Sequence, residues 1–373
     1  MSAHDLDLIP AGTVFAPSEV IHYADRDMRD LAQAISDADV LVTVPHAEAA
    51  IPEELVGFLA PGLTRRLQRD FSDATAARVV RRWAQIDPRI VAVVNPHPRL
   101  VRDANRARPD DLRDELRRAF DRVRAAGAAE DAGAAGAAEP ADLDGVDAIR
   151  PVSYSNIAML DAPATPERLD ELVDALTAVA AQGLDVYEAM REELTELFIT
   201  KGLAHGGACT LLSFHDTMHL GMRPDGSLDP EAPAGGLPGV VTLSNGGDTE
   251  GEERGTGEPV TMPPADLRML ADAHRTEFEV ADHDAVALNR PYRGEHEIFA
   301  AAARFRSIAG EAEAAGFSPA AAQAKFSRAY LLGPHAIDAL REPGADWVDE
   351  DPERIDFLAY ACKRAWDAFR DRA

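Results

Sequence analysis

Apolar positions along the chain follow two periods, and their alternation predicts the class of fold. Short unbroken apolar runs occur at 40–45 (VLVTVP), 90–95 (IVAVVN), 208–214, 240–244 and 285–288. Runs of this length read as strands covered on both faces. Helical spacing marks 52–59, 73–83, 110–125, 166–202, 264–280, 318–331 and 352–370, with the 166–202 stretch parted near Gly183. Pro52 opens the first of these helices, and Asp73 stands at the cap position of the second. Repeated strand and helix alternation predicts a single α/β domain over residues 1–373, with helices on both sides of a sheet. The stretch 127–146 breaks the pattern with repeated glycine, alanine and acidic residues, a composition too poor in apolar surface to order itself, and it is expected to be a mobile surface excursion.

Composition narrows the partners. The chain has 373 residues, with 38 Lys and Arg against 65 Asp and Glu, a formal charge of -27. That length supports a large core. So acidic a surface repels phosphate backbones and anionic lipid, which argues against nucleic acid and membranes as partners; it also suits a salty cytoplasm or plain solubility. Cys209 and Cys362 are the two cysteines, and Cys209 lies in an apolar run, so the expectation is a reduced, cytoplasmic protein without a disulfide framework. No apolar run approaches the roughly 18 residues of a membrane span. Residues 1–10 lack the basic start and long apolar stretch of a secretion signal.

Candidate chemistry gathers at strand ends. Behind the 90–95 run comes RLVRDANR (99–106), whose arginines can grip a carboxylate in a planar, two-bonded way, so a small acidic substrate is expected. His46 and His215 each follow an apolar run, at the edge where open α/β sheets bind ligands. Zinc in a hydrolase takes three ligands of the histidine and carboxylate kind and leaves room for water. His46 and His215 are the natural pair, although each also reads as a hydrogen-bonded core histidine. Glu48, two residues past His46, can face the same metal from a turn.

Six blocks carry a resemblance: PHAEAAIP (45–52), DATA (73–76), RLVRDANR (99–106), HGGACTLLSFHDTM (205–218), VTLSNGGD (241–248) and LNRPYRGE (288–295). Together, and in this order, they resemble the N-formylglutamate amidohydrolases, or deformylases, over about residues 40–332. The resemblance implies a three-layer α/β/α, phosphorylase/hydrolase-like fold with a mixed central sheet, related to the zinc carboxypeptidases. It implies hydrolysis of an amide between a small acyl group and an acidic amino acid, N-formyl-L-glutamate giving formate and glutamate. It implies zinc or another divalent metal on His46, His215 and Asp73, with Glu48 as the competing carboxylate and helix capping as the other reading of Asp73. Asn105 and Arg106 would hold the substrate carboxylate. Arg99 would face the scissile carbonyl, whose oxygen gains charge in the transition state. Asp103 is expected to orient one of these arginines and Arg102 to lie on a solvated face; a purely structural Arg–Asp network is the plain alternative for the block.

The chain departs from the family pattern at the expected base. Where the family reads Gln-x-Glu, this sequence has Gln323-Ala324-Lys325, followed by Arg328. A lysine accepts a proton only if burial drives its pKa far down, so Lys325 and Arg328 become candidate partners of the substrate carboxylate. The glycine pair of the NRPYRG block is replaced as well, leaving Gly294-Glu295 with Glu297 just beyond, and either glutamate can supply the missing base. The helix before His215 offers Arg191 or Glu192 where the family has a histidine. His97 and His219 read as local polar residues, Asp216 as either an orienter of an imidazole or a solvent-exposed group, and 245–248 as a turn. The leading reading is a zinc-dependent amidohydrolase of N-acylated acidic amino acids. The alternatives are a hydrolase of another N-acyl amino acid or small peptide, and a non-catalytic carboxylate-binding homologue.

Overall fold

A central mixed sheet organises the computed structural model, which describes residues 6–131, 148–229, 237–255 and 257–371. Among the described residues nine strands follow in chain order: β1 Leu8–Ile9, β2 Ile21–His22, β3 Val40–Val44, β4 Ile51–Pro52, β5 Ile90–Val94, β6 Gly207–Thr217, β7 Val241–Ser244, β8 Val286–Leu288 and β9 Phe317–Ser327. Seven of them form the sheet in the order β2-β5-β3-β6-β9-β7-β8, while β1 and β4 pair separately. The run β5, β3, β6, β9 is parallel; β2 and β7 lie antiparallel to β5 and β9, and β8 is parallel to β7.

Apolar residues on both faces explain the two flanking layers. On β3, Val40, Val42 and Val44 pack into a core with Trp83, Leu270 and Trp366, from the helices Ala74–Ile86, Pro264–Glu277 and Pro352–Arg370. Leu41 turns the other way, into a core that holds Phe198, Ile298 and Ala312 from the helices Leu184–His205, His296–Ser307 and Ala309–Ala315. A strand sandwiched in this way must be apolar throughout, and every residue of β3 and β5 is buried.

The two longest strands place the site. β6 and β9 pair in parallel from Gly207 and Phe317 to Thr217 and Ser327, which sets His215 beside Lys325. Pairing of β6 with β3 ends at Ser213, so His215 stands just past the last rung, next to the turn that carries His46.

Three expectations need correction. The stretch 318–331 is the strand β9 followed by a short helix, Arg328–Leu332. Its alanines favour a helix locally, but Ala320, Ala321, Ala322 and Ala324 are buried in mid-sheet, where small side chains let both helical layers approach, and tertiary context overrides propensity. The stretch 52–59 is a 3-10 helix, Glu53–Phe58, entered through β4. The helix expected at 110–125 continues as Leu112–Asp131 into the proposed excursion, and the rest of that excursion lies outside the described residues. Cys209 and Cys362 are buried and unpaired, and no helix among the described residues is long and apolar enough to cross a membrane.

Candidate metal centre and active site

Asp73 sits at the N-cap of the helix Ala74–Ile86 without making a side-chain cap bond. Its carboxylate turns instead to two imidazoles, with Oδ2 3.3 Å from Nδ1 of His46 and 3.1 Å from Nδ1 of His215. All three residues are buried, and one ligand atom from each lies within 4.8 Å of the others. The opposite edge of each ring is held by the fold. Nε2 of His46 lies 2.6 Å from Oδ1 of Asp103. Nε2 of His215 lies 2.9 Å from Oγ of Ser213, which itself donates to Oε2 of Glu297 at 2.7 Å.

These partners orient the rings so that the Nδ1 edges of both face Asp73, with Asn105 Nδ2 also 3.3 Å from Nε2 of His215. Burial would raise the Asp73 carboxyl, but Arg99 and the two histidines hold it well below the usual carboxylate range. Burial and Arg99 oppose a charge on His46, yet Asp103 and Asp73 outweigh them and raise its pKa; at His215 burial prevails and lowers it. Two nitrogen lone pairs and an ionised carboxylate converging on one point are a donor set that a divalent cation satisfies, in place of a proton.

Arg99 links this cluster to a cleft of about 520 Å³ bordered by Asp73, Arg99, Asp103, Arg106, Glu295 and Lys325. One guanidinium nitrogen of Arg99 bonds Nδ1 of His46 and lies 3.4 Å from Asp73; the other bonds the Tyr154 hydroxyl. Glu295 collects the cations: Lys325 Nζ donates to it at 2.8 Å, Arg106 lies 3.3 Å away, and Asn105 Nδ2 donates at 2.7 Å. Burial alone would raise the Glu295 carboxyl, but Lys325, His215 and Arg106 hold it at about 2. Burial likewise disfavours a charged Lys325, and Glu295 and Tyr292 outweigh it to raise the amine. The Lys325 ammonium lies 4.0 Å from the centre of the Tyr292 ring.

Several expected roles do not survive this geometry. Glu297 is 2% exposed and accepts from Thr43 (2.6 Å), Ser213 (2.7 Å), Tyr187 (2.6 Å) and Arg191 (2.8 Å), so its oxygens serve the sheet face rather than the cleft. Arg191, which replaces the expected histidine, is the ion-pair partner of this carboxylate, and Glu192 is exposed. Arg328 borders the cleft, but its donors go to Asp216, to the carbonyl of Ser72 and to the carbonyl of Asp70 at 2.9 Å. Asp103 bonds His46 instead of an arginine, because the chain turn at 103–106 brings its carboxylate under the imidazole and the N–H of Asn105. Arg102 is buried against Glu188 at 2.6 Å, not solvated. Glu48 folds back on the N–H groups of Ala49 and Ala50, outside the cluster. Asp216 neither orients an imidazole nor meets solvent; it accepts from Ala76 N–H at 2.9 Å and from Arg328.

Other residues were missed. Ser213 shares a strand face with His215, a signal that period-2 spacing carries. Phe71, Tyr154, Met218 and Leu220 border the cleft with no periodic mark in the sequence. His97 behaves as expected, accepting the N–H of Leu184 at 3.2 Å, and His219 borders the cleft. The 245–248 turn is held by Asn245, which donates to the carbonyls of Gly251 and Met262.

Lone pairs gathered at the strand ends of a mixed α/β sheet, with a guanidinium fixed beside them, are the equipment of a metal-dependent hydrolase. The family model for N-formylglutamate amidohydrolase, FGase, matches residues 38–310, and the chain belongs to that family. It is thus a metal-dependent amidohydrolase acting on an N-acyl amino acid. A crystal structure of a gene product from Agrobacterium tumefaciens is similar at 14% identity and a TM-score of 0.46, covering 91% of this chain and 94% of that one. A search of the curated proteins returned no match.

Proposed function

We propose that the substrate is an N-acylated acidic amino acid such as N-formyl-L-glutamate, and that zinc is the metal. Hydrolysis adds water across the amide: the C–N bond breaks, the acyl carbon takes the hydroxyl and the nitrogen takes a proton. The observation that carries this reading is that Asp73, the carboxylate of the His46–Asp73–His215 cluster, borders the same cleft as the Arg106–Glu295–Lys325 charge group. We take the chain to be one domain and its sheet to be related to that of the zinc carboxypeptidases.

His46, Asp73 and His215 would hold the metal, which when bound supplies Lewis acidity at the scissile carbonyl and makes water more acidic. Arg99, held by the Tyr154 hydroxyl and freed from Nδ1 of His46 once that nitrogen takes the metal, would meet the carbonyl oxygen and stabilise it as it gains charge. Arg106 and Lys325 draw in the substrate carboxylate, and Asn105 positions both glutamates that follow it in space, donating to Glu295 and accepting the N–H of Glu297. The substrate carboxylate competes with Glu295 for Lys325 and Arg106, two of the cations that lower its carboxyl, and Glu295 is the carboxylate at the cleft placed to act as general base.

The reading is tested by incubating the zinc-loaded protein with N-formyl-L-glutamate and N-formyl-L-leucine and following formate release by NMR. Turnover with preference for the acidic substrate is expected. Absence of turnover on any N-acyl amino acid overturns it.

A further inference from the structure

Around the guanidinium of Arg99 the cleft changes character. Phe71 and Tyr154 stand with ring centres 6.0 Å apart, and the guanidinium carbon lies 5.7 Å from the first and 5.0 Å from the second. Met218 and Leu220 border the same cleft. Tyr154 is 52% exposed, an unusual state for a large ring. Its position is nevertheless fixed: the Arg99 guanidinium holds its hydroxyl, Arg150 lies 4.5 Å from its ring centre, and the next residue, Ser155, accepts the N–H of Met222 at 2.7 Å.

A formyl group has no apolar surface to set against such a wall. Phe71, 4% exposed, backs this wall, and a ligand that left Tyr154, Met218 and Leu220 bare would keep apolar area in water, whereas a ring or branched chain would cover it. Pockets of roughly 300–1,000 Å³ take drug-sized ligands, and this cleft, at about 520 Å³, exceeds the needs of a formylated amino acid. Arg106 and Lys325 mark the carboxylate end, and Arg99 fixes where the carbonyl sits, so what lies beyond Arg99 is the acyl substituent.

We propose that the apolar wall of Phe71, Tyr154, Met218 and Leu220 is an acyl subsite, and that the preferred substrate carries an aromatic or branched apolar N-acyl group rather than formyl. This rests on the reading of the cleft as an amide-hydrolysing site.

The test compares N-benzoyl-L-glutamate with N-formyl-L-glutamate on the zinc-loaded full-length protein, both by initial rates and by calorimetry. The benzoyl compound is expected to lead in kcat/KM by about tenfold or more, the scale of discrimination in an apolar pocket. Tyr154→Ala, at a half-exposed position, should narrow that ratio in a folded variant, as should Phe71→Ala if it folds. Equal or better use of the formyl compound overturns the subsite and leaves the amidohydrolase intact. If neither compound is hydrolysed, the amidohydrolase reading fails, and calorimetry alone decides the subsite: tenfold tighter binding of the benzoyl compound supports it, and equal or weaker binding overturns it.

Discussion

Oδ1 of Asp103 lies 2.6 Å from Nε2 of His46, and this contact turns the Nδ1 lone pair of the ring toward Asp73. An orienting carboxylate behind a metal-binding imidazole typically contributes 10- to 100-fold in affinity. Asp103→Ala is therefore expected to weaken zinc binding by about that factor, read by competition with a chromogenic chelator. Unchanged affinity would deny Asp103 the orienting role.

Glu295 and Glu297 are two residues apart yet do different work. Glu295→Gln should lower kcat by roughly 10²- to 10⁴-fold with zinc stoichiometry intact, the usual loss when a general base is removed. Glu297→Gln should strike stability, since it leaves the Arg191 guanidinium without its buried carboxylate, a break of the kind that costs about 3–5 kcal/mol. Denaturant unfolding of the two variants, set beside their turnover, separates the roles. Equal effects of both substitutions on kcat and on stability would contradict the distinction.

Arg106 is the more accessible of the two cations on Glu295. Arg106→Ala should weaken an acidic ligand by about 1.5 to 3 kcal/mol through loss of a charge-assisted hydrogen bond. Calorimetry with L-glutamate checks this, and unchanged affinity in a folded variant refutes the assignment.

Stability should fall with acid through buried histidines that do not border the cleft. Burial holds His274 at about 4 against an ordinary 6.5, and burial likewise holds His97 at about 4. The unfolded chain takes up these protons first, so their contribution is complete above pH 6.5 and is lost as pH falls through about 4. His274→Gln should flatten the fall in unfolding free energy across that window; an unchanged slope would show that His274 does not titrate there.

The sequence made the strand ends legible because apolar runs bounded by single histidines leave little choice of where His46 and His215 stand. Asp73 was readable as ligand or cap, and its missing cap bond favours the ligand. What stayed hidden depends on contacts across long stretches of chain. β9 looks helical because its alanines favour a helix until two layers close on them. Asp103 sits among arginines in sequence, but a histidine 57 residues earlier claims its carboxylate. Glu297 and Glu295 cannot be told apart by spacing, since only the arrival of Thr43, Ser213, Tyr187 and Arg191 confines one of them to the core.

The central claim, a catalytic metal on His46, Asp73 and His215, is tested most directly by titrating zinc into chelator-stripped protein while following both bound metal and hydrolysis of N-formyl-L-glutamate. Activity should return in step with one zinc per chain, and the double variant His46→Ala, His215→Ala should bind none and stay inactive. Full turnover in the stripped protein, or stoichiometric zinc retained by a folded double variant, would contradict the account.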